Sequence, residues 1–222
     1  MTEKKNASPR KPSGRIKQIL RLLEEAYPNA ECTLTHNNSL ELLIATILSA
    51  QCTDERVNLV TRDLFRKYRT AKDYVRVPRE DLEKDIQSTG FYRNKARSIQ
   101  GASAMILENF GGSVPDTMED LLKLPGVARK TANVVLGVAF GKADGIVVDT
   151  HVFRVSRRLG FTDSDTAEKV ERDLMRIIPP NRWISFSHQV IVHGRKTCKA
   201  RKPLCLVCPL ERICKSEDKT LS

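Results

Sequence analysis

The segment Ser39–Cys52 (SLELLIATILSAQC) limits the possible folds more than any other part of the chain. It carries one charged residue, Glu41, in fourteen positions, and as a helix it is apolar on most sides. A helix of that kind has to be enclosed by other elements. Its neighbours read as amphipathic helices. Ile16, Ile19, Leu20 and Leu23 share one face of a helix ending near Pro28, and Val57, Val60, Leu64 and Phe65 face inward from Asp54–Tyr68. Short helices are predicted near 71–76 and 79–87, and a longer one over Asn94–Phe110, stopped by Gly111-Gly112. Thr117–Leu124, Arg129–Phe140, Thr150–Leu159, Asp165–Ile178 and Arg182–Gly194 complete the series, with Asp165 and Glu168 as a helix N-terminal box. Only Gly145–Val148 hints at extended chain. The predicted class is all-α.

The 38 Lys and Arg residues against 27 acidic ones give a net charge of +11. Such an excess favours polyanions through counterion release, so nucleic acid is the leading partner. The longest charge-free stretches, Leu42–Thr53 and Trp183–Gly194, are 12 residues each, too short for a membrane span of about 20 residues. Residues 1–14 (MTEKKNASPRKPSG) have no apolar run and so do not read as a signal peptide; they read as a flexible basic arm. An intracellular setting is expected.

Four of the six cysteines, Cys198, Cys205, Cys208 and Cys214, form C-x6-C-x2-C-x5-C near the C-terminus. Without an export signal, disulfides are disfavoured and the cluster reads as a metal site. Four convergent thiolates suit either a tetrahedral zinc ion or a cubane iron–sulfur cluster, and spacing alone does not choose between them. No acidic residue occurs from Arg195 to Leu210, while Arg195, Lys196, Lys199, Arg201 and Lys202 do. Cations tethered in this way suit a phosphate backbone, or balance the charge of a thiolate-bound group. Cys32 and Cys52 are expected to be packing thiols.

Leu121–Phe140 reads LLKLPGVARKTANVVLGVAF. Pro125 ends one short helix, Gly126 supplies a tight turn, and a second helix starts near Arg129. Unpaired N–H groups at that second start, with the positive end of the helix dipole, suit a phosphate. The turn by itself is equally an ordinary helix–turn–helix corner.

LPGVARKTANVV, followed by VDTHVFRVSRRLG whose Asp149 lies 19 residues after Lys130, and the terminal four-cysteine loop together resemble the helix–hairpin–helix DNA glycosylases, in particular the endonuclease III family. The resemblance spans roughly residues 15–215. It implies two helical lobes with a DNA-binding cleft: a six-helix lobe over 32–143, and a second lobe of 15–31 with 144–222 that carries a [4Fe-4S] cluster on the four cysteines. It implies a bifunctional glycosylase and abasic-site lyase that removes oxidised pyrimidines from damaged double-stranded DNA, acting as a monomer. Lys130 is then the nucleophile and Asp149 the carboxylate that assists it and stabilises positive charge on the sugar, the two facing each other across the cleft. The chemistry needs a neutral lysine amine at the sugar C1′, and burial, Arg129 and the helix start would each favour that form. Asp149 at a helix start is also a natural N-cap.

The same resemblance makes Gln51, in LSAQCTD, the residue that fills the gap left by an extruded nucleotide. It makes Phe91, in TGFYRNKA, a wedge on the opposite strand, where related enzymes often carry Leu. Gly126, Ala128 and Arg129 of the hairpin, His151, and Arg195, Lys199 and Arg201 are the expected DNA contacts, with Ala128 standing where the hairpin usually has a second glycine. On the residues alone, Gln51 is also compatible with a helix C-cap, Phe91 with a core position, and Lys95 and Arg97 with either phosphate contacts or a solvated face. Two other functions fit less well: a monofunctional adenine or mismatch glycosylase, which lacks a lysine at position 130, and a non-catalytic DNA-binding module with a redox cluster.

Overall fold

The computed structural model describes residues 13–221. No strand occurs among them, so the chain is all-α, and Gly145–Val148 runs as non-regular chain with Gly145, Ile146 and Val148 buried. The chain separates into two compact units, one of Cys32–Asp144 and one of the residues up to Glu31 with those from Gly145 onward.

The central unit is built around α2 (Ser39–Leu48), in which every residue from Glu41 to Leu48 is buried. Asn38 caps it by accepting from the Glu41 N–H at 2.9 Å, and Glu41 reaches back to the Asn37 N–H at 2.7 Å. The helix is shorter than the expected Ser39–Cys52, because the chain turns at Ser49 and Gln51 adopts a left-handed backbone at φ 51°. Around it lie α3 (Asp54–Lys67), α4 (Ala71–Arg76), α5 (Arg79–Ile86), α6 (Tyr92–Asn109), α7 (Met118–Leu121) and α8 (Arg129–Phe140), with α3, α6 and α8 packed directly on α2. Leu43, Ile44, Leu48, Tyr74, Ile99, Leu121 and Leu136 form its core. The described residues of this unit thus hold seven helical segments where six were expected. The expected Thr117–Leu124 helix is the single turn α7: Thr117 caps it, and the chain then winds through Leu122–Leu124 into the hairpin.

The other unit packs α1 (Gly14–Ala26), α9 (Thr150–Arg158), α10 (Ala167–Ile177) and α11 (Trp183–Lys196) around Ile19, Leu20, Leu23, Ile146, Val155, Leu174, Phe186 and Val190. Of the expected N-terminal arm, residues 1–12 lie outside the described residues. Ser13 and Gly14 belong to α1, since the Ser13 hydroxyl accepts from the Ile16 N–H and Gly14 opens the helix. The α10 cap is Thr166 and not the predicted Asp165: the Thr166 hydroxyl accepts from the Lys169 N–H, while Asp165 pairs with the Lys169 ammonium at 2.8 Å. Threonine at the extended residue just before the helix has the geometry for the cap.

Candidate active site and cysteine centre

The hairpin is seated on α6 by small residues. Gly126 has φ 78°, and a Cβ there would lie 2.5 Å from the Ser98 Cβ. The Pro125 ring packs at the bare Cα of Gly101, where a Cβ would come within 3.1 Å of it. Val127 is buried beneath the turn. Ser98 and Gly101 were not singled out from the sequence, because nothing local marks a small residue on a helix as the seat of a turn nearly thirty positions away. Ala128 is the N-cap residue of α8 and makes no side-chain cap. α8 therefore presents its first N–H groups without a capping oxygen, which leaves them suited to an anion.

Lys130 is the second residue of α8 and is exposed, Arg129 half-buried. The burial expected around Lys130 is absent because it sits on the solvent side of an amphipathic helix start.

Asp149 lies in the other unit and caps α9. Its Oδ1 accepts from the His151 N–H at 2.9 Å and the Val152 N–H at 2.8 Å. One oxygen is thus pinned, the carboxylate direction is fixed, and Oδ2 takes no part in the cap. His151, half-buried, packs on the bare Cα of Gly194 in α11. Arg154 Nη2 lies 3.2 Å from His151 Nδ1. The guanidinium packs there against the His151 imidazole. Burial, opposed by Asp149, holds its pKa below the usual histidine value. The same guanidinium donates to the carbonyls of Gly194 and Cys198, both at 3.0 Å. Arg154 therefore ties the helix carrying Asp149 to the start of the cysteine loop.

Gln51 and Phe91 are both exposed, Phe91 at 63%, and both have left-handed backbone, at φ 51° and 47°. The alternatives considered from the sequence fall away: Ser49 is the C-cap of α2, and Phe91 is not in the core. Lys95 is a correction. It is 5% exposed and faces neither phosphate nor solvent, and its ammonium donates to the carbonyls of Leu48 and Thr89, each at 2.8 Å. Arg97 is exposed.

Cys198, Cys205, Cys208 and Cys214 line one pocket, together with apolar side chains such as Val155, Leu159 and Leu210. All four are free thiols. Burial pushes the Cys198 thiol up and the Cys208 thiol up to about 11. Nitrogen atoms lie close to three of the sulfurs: Arg158 Nη1 donates to Cys198 at 3.4 Å, the Thr220 N–H donates to Cys205 at 3.4 Å, and His193 Nε2 lies 3.9 Å from Cys208. Tyr27 lies behind that histidine, its hydroxyl 2.9 Å from Nδ1 and 3.0 Å from Thr197 Oγ1. Among the described residues no three His, Cys, Asp or Glu side chains converge closely enough to hold one metal ion. A single zinc draws its sulfurs to about 2.3 Å from one point. Four thiols lining one pocket are a donor set that suits either such an ion or an iron–sulfur cluster. Two short 3₁₀ turns, Cys205–Val207 and Glu211–Ile213, give the loop some regular structure where none was expected. Arg195, Lys199 and Arg201 are exposed at its start. Cys32 and Cys52 pack against the central core, in line with the packing role predicted for them.

Residues 44–180 match the model of the HhH-GPD superfamily of base excision DNA repair proteins. Endonuclease III of Synechocystis is 54% identical over 202 residues, covering 91% of this chain and 92% of that protein. A solved non-covalent endonuclease III–DNA complex is 52% identical, with a TM-score of 0.87 over 90% of this chain and 94% of that one. The chain belongs to the endonuclease III family. A second endonuclease III structure, a trapped covalent intermediate with DNA, matches with the same identity, coverage and TM-score. Membership of the endonuclease III family makes this a base excision DNA repair protein.

Proposed function

We propose that oxidised pyrimidines in double-stranded DNA are the substrates, that Lys130 is the nucleophile, and that Asp149 is the carboxylate acting with it. The enzyme is a bifunctional DNA glycosylase and abasic-site lyase of base excision repair. The observation that carries the residue assignment is Lys130 itself: an exposed amine one residue into an uncapped helix, directly after a hairpin whose N–H groups suit a phosphate.

The neutral Lys130 amine attacks C1′ of the extruded nucleotide. The N-glycosidic bond breaks, and the base leaves with its electron pair and gains a proton. The nitrogen–carbon adduct opens the sugar ring to an imine, which acidifies C2′. Loss of a C2′ proton expels the 3′ phosphate, and water then releases the lysine. Asp149, with Oδ1 held by two N–H groups, keeps Oδ2 to receive a proton and to stabilise positive charge on the sugar. The main-chain N–H groups at Gly126, Ala128 and Arg129 take one phosphate. Arg195, Lys199 and Arg201 take the backbone further along, and His151 adds a neutral N–H. Gln51 fills the vacated stack, and Phe91 wedges the opposite strand.

Cys198, Cys205, Cys208 and Cys214 hold a [4Fe-4S] cluster. When bound, it fixes the loop and so the basic residues on it. The enzyme acts as a monomer, in the compartment that holds the chromosome. No described helix is long and apolar enough to cross a membrane.

The test is a borohydride trap on an oxidised-pyrimidine duplex. Wild type gives a covalent enzyme–DNA adduct and Lys130→Ala gives none. A normal adduct with the alanine variant removes Lys130 from the nucleophile role.

A further inference from the structure

We propose that Lys95 is a positioning residue that sets the Gln51 turn and the Phe91 turn in register with each other, so that both side chains enter DNA as one device. The proposal deepens the reading of Gln51 and Phe91 as the residues that enter the stack, and rests on it.

Lys95 is buried on α6, and its ammonium joins two separate turns. One partner is the carbonyl of Leu48, the last residue of α2 and three positions before Gln51. The other is the carbonyl of Thr89, two positions before Phe91. The Lys95 N–H also donates to the Phe91 carbonyl at 3.1 Å, in the first turn of α6. Leu48 belongs to the last turn of α2, whose carbonyls have no partner further along the helix, and an ammonium there meets the negative end of the helix dipole. A buried cation is costly unless its hydrogen bonds are made, so this lysine is held in one place.

Both turns need such a hold. Among the described residues only three non-glycine side chains sit at positive φ: Gln51, Phe91 and Lys202. Each such backbone is strained and persists only where its surroundings over-determine it. Two of the three flank the partners of a single ammonium. Methionine at 95 keeps the length and the packing of the stem but deletes the donors, freeing both turns at once.

The experiment compares two substrates: a duplex with a paired oxidised pyrimidine, which must be unstacked, and a single strand carrying a preformed abasic site, which need not be. Lys95→Met is expected to slow base release from the duplex at least about tenfold. Strand cleavage at the single-stranded abasic site stays within about twofold, and the fluorescence rise of a 2-aminopurine beside the lesion on binding is lost. In a Gln51→Ala/Phe91→Ala background the same substitution adds less than about twofold, since coupled residues are not additive. Equal losses on both substrates, with or without a lower melting temperature, overturn the proposal, as does full additivity in the double-variant background. If Gln51→Ala/Phe91→Ala alone leaves duplex activity unchanged, the reading of those two residues fails first, and that result is separable from the fate of Lys95.

Discussion

A Cβ at Gly126 would lie 2.5 Å from the Ser98 Cβ, so the hairpin turn and α6 touch through a gap that admits no side chain. Gly126→Ala meets both that clash and an unfavourable φ of 78°. It is expected to cost about 1–3 kcal/mol or more and to weaken binding to undamaged duplex, since the hairpin must shift to relieve the overlap. Ser98→Gly in the same chain should recover part of the melting temperature by removing the clash, while the φ cost persists. Thermal unfolding and fluorescence anisotropy on the single and double variants check both statements.

The Asp149 side chain has two separable duties, the α9 cap and the proposed chemistry. Asparagine keeps an oxygen for the His151 and Val152 N–H groups but loses the charge. Asp149→Asn is expected to unfold within about 1 kcal/mol of wild type and to lose roughly 10²–10⁴-fold in turnover. Asp149→Ala should lose turnover to the same degree and about 1 kcal/mol of stability besides. Single-turnover base release beside urea unfolding distinguishes the two duties. Near-normal turnover of the asparagine variant would reduce Asp149 to a cap.

Arg158 stitches the cysteine loop at several points. Its guanidinium donates to Cys198 Sγ, to the Lys199 carbonyl at 2.7 Å and the Ala200 carbonyl at 3.2 Å, and pairs with Asp218. Arg158→Met is expected to speed loss of the cluster to a chelator, read as decay of its visible absorbance. Removal of the cluster from wild type should loosen the loop, seen as faster amide exchange over Cys198–Cys214, while α2 and α8 keep their protection. Equal decay rates in variant and wild type would show that the guanidinium does not guard the site.

The basic start of that loop should be readable in salt dependence. The slope of log K against log salt becomes shallower by about 0.9 for every DNA phosphate that the protein no longer neutralises. Lys199→Ala with Arg201→Ala is therefore expected to reduce the slope by up to about 2 and to weaken lesion and undamaged duplexes alike. Binding titrations across a salt series measure it; an unchanged slope would take these two residues off the DNA.

Most of the architecture was legible because helix signals are local. The apolar period and the cap residues placed the helices to within a few residues, and the Pro125-Gly126 turn and the cysteine spacing stood out as punctuation. Several of the misses depended on a distant partner, and the others on local backbone conformation. Lys95 carries a charge and so reads as a solvent-facing position, yet the carbonyls that bury it come from Leu48 and Thr89. Ser98 and Gly101 matter for what they lack, which only the docked hairpin reveals. Left-handed backbone at Gln51 and Phe91 could not be read from residue type, since neither is the glycine such a conformation favours. The cap at Thr166 was missed by one residue because Asp165 and Thr166 are both good caps, and only the backbone conformation decides between them.

The discontinuous unit has a consequence for how the polypeptide is made. Ile19, Leu20 and Leu23 of α1 are buried in a core whose other fully buried members lie from Ile146 onward. On a ribosome adding ~5–20 residues per second, that apolar stripe emerges on the order of ten seconds before its partners. The intervening residues, Cys32–Asp144, can complete their own core meanwhile. The nascent chain thus closes from the middle outward, and its first helix is a natural target for a holding chaperone during synthesis.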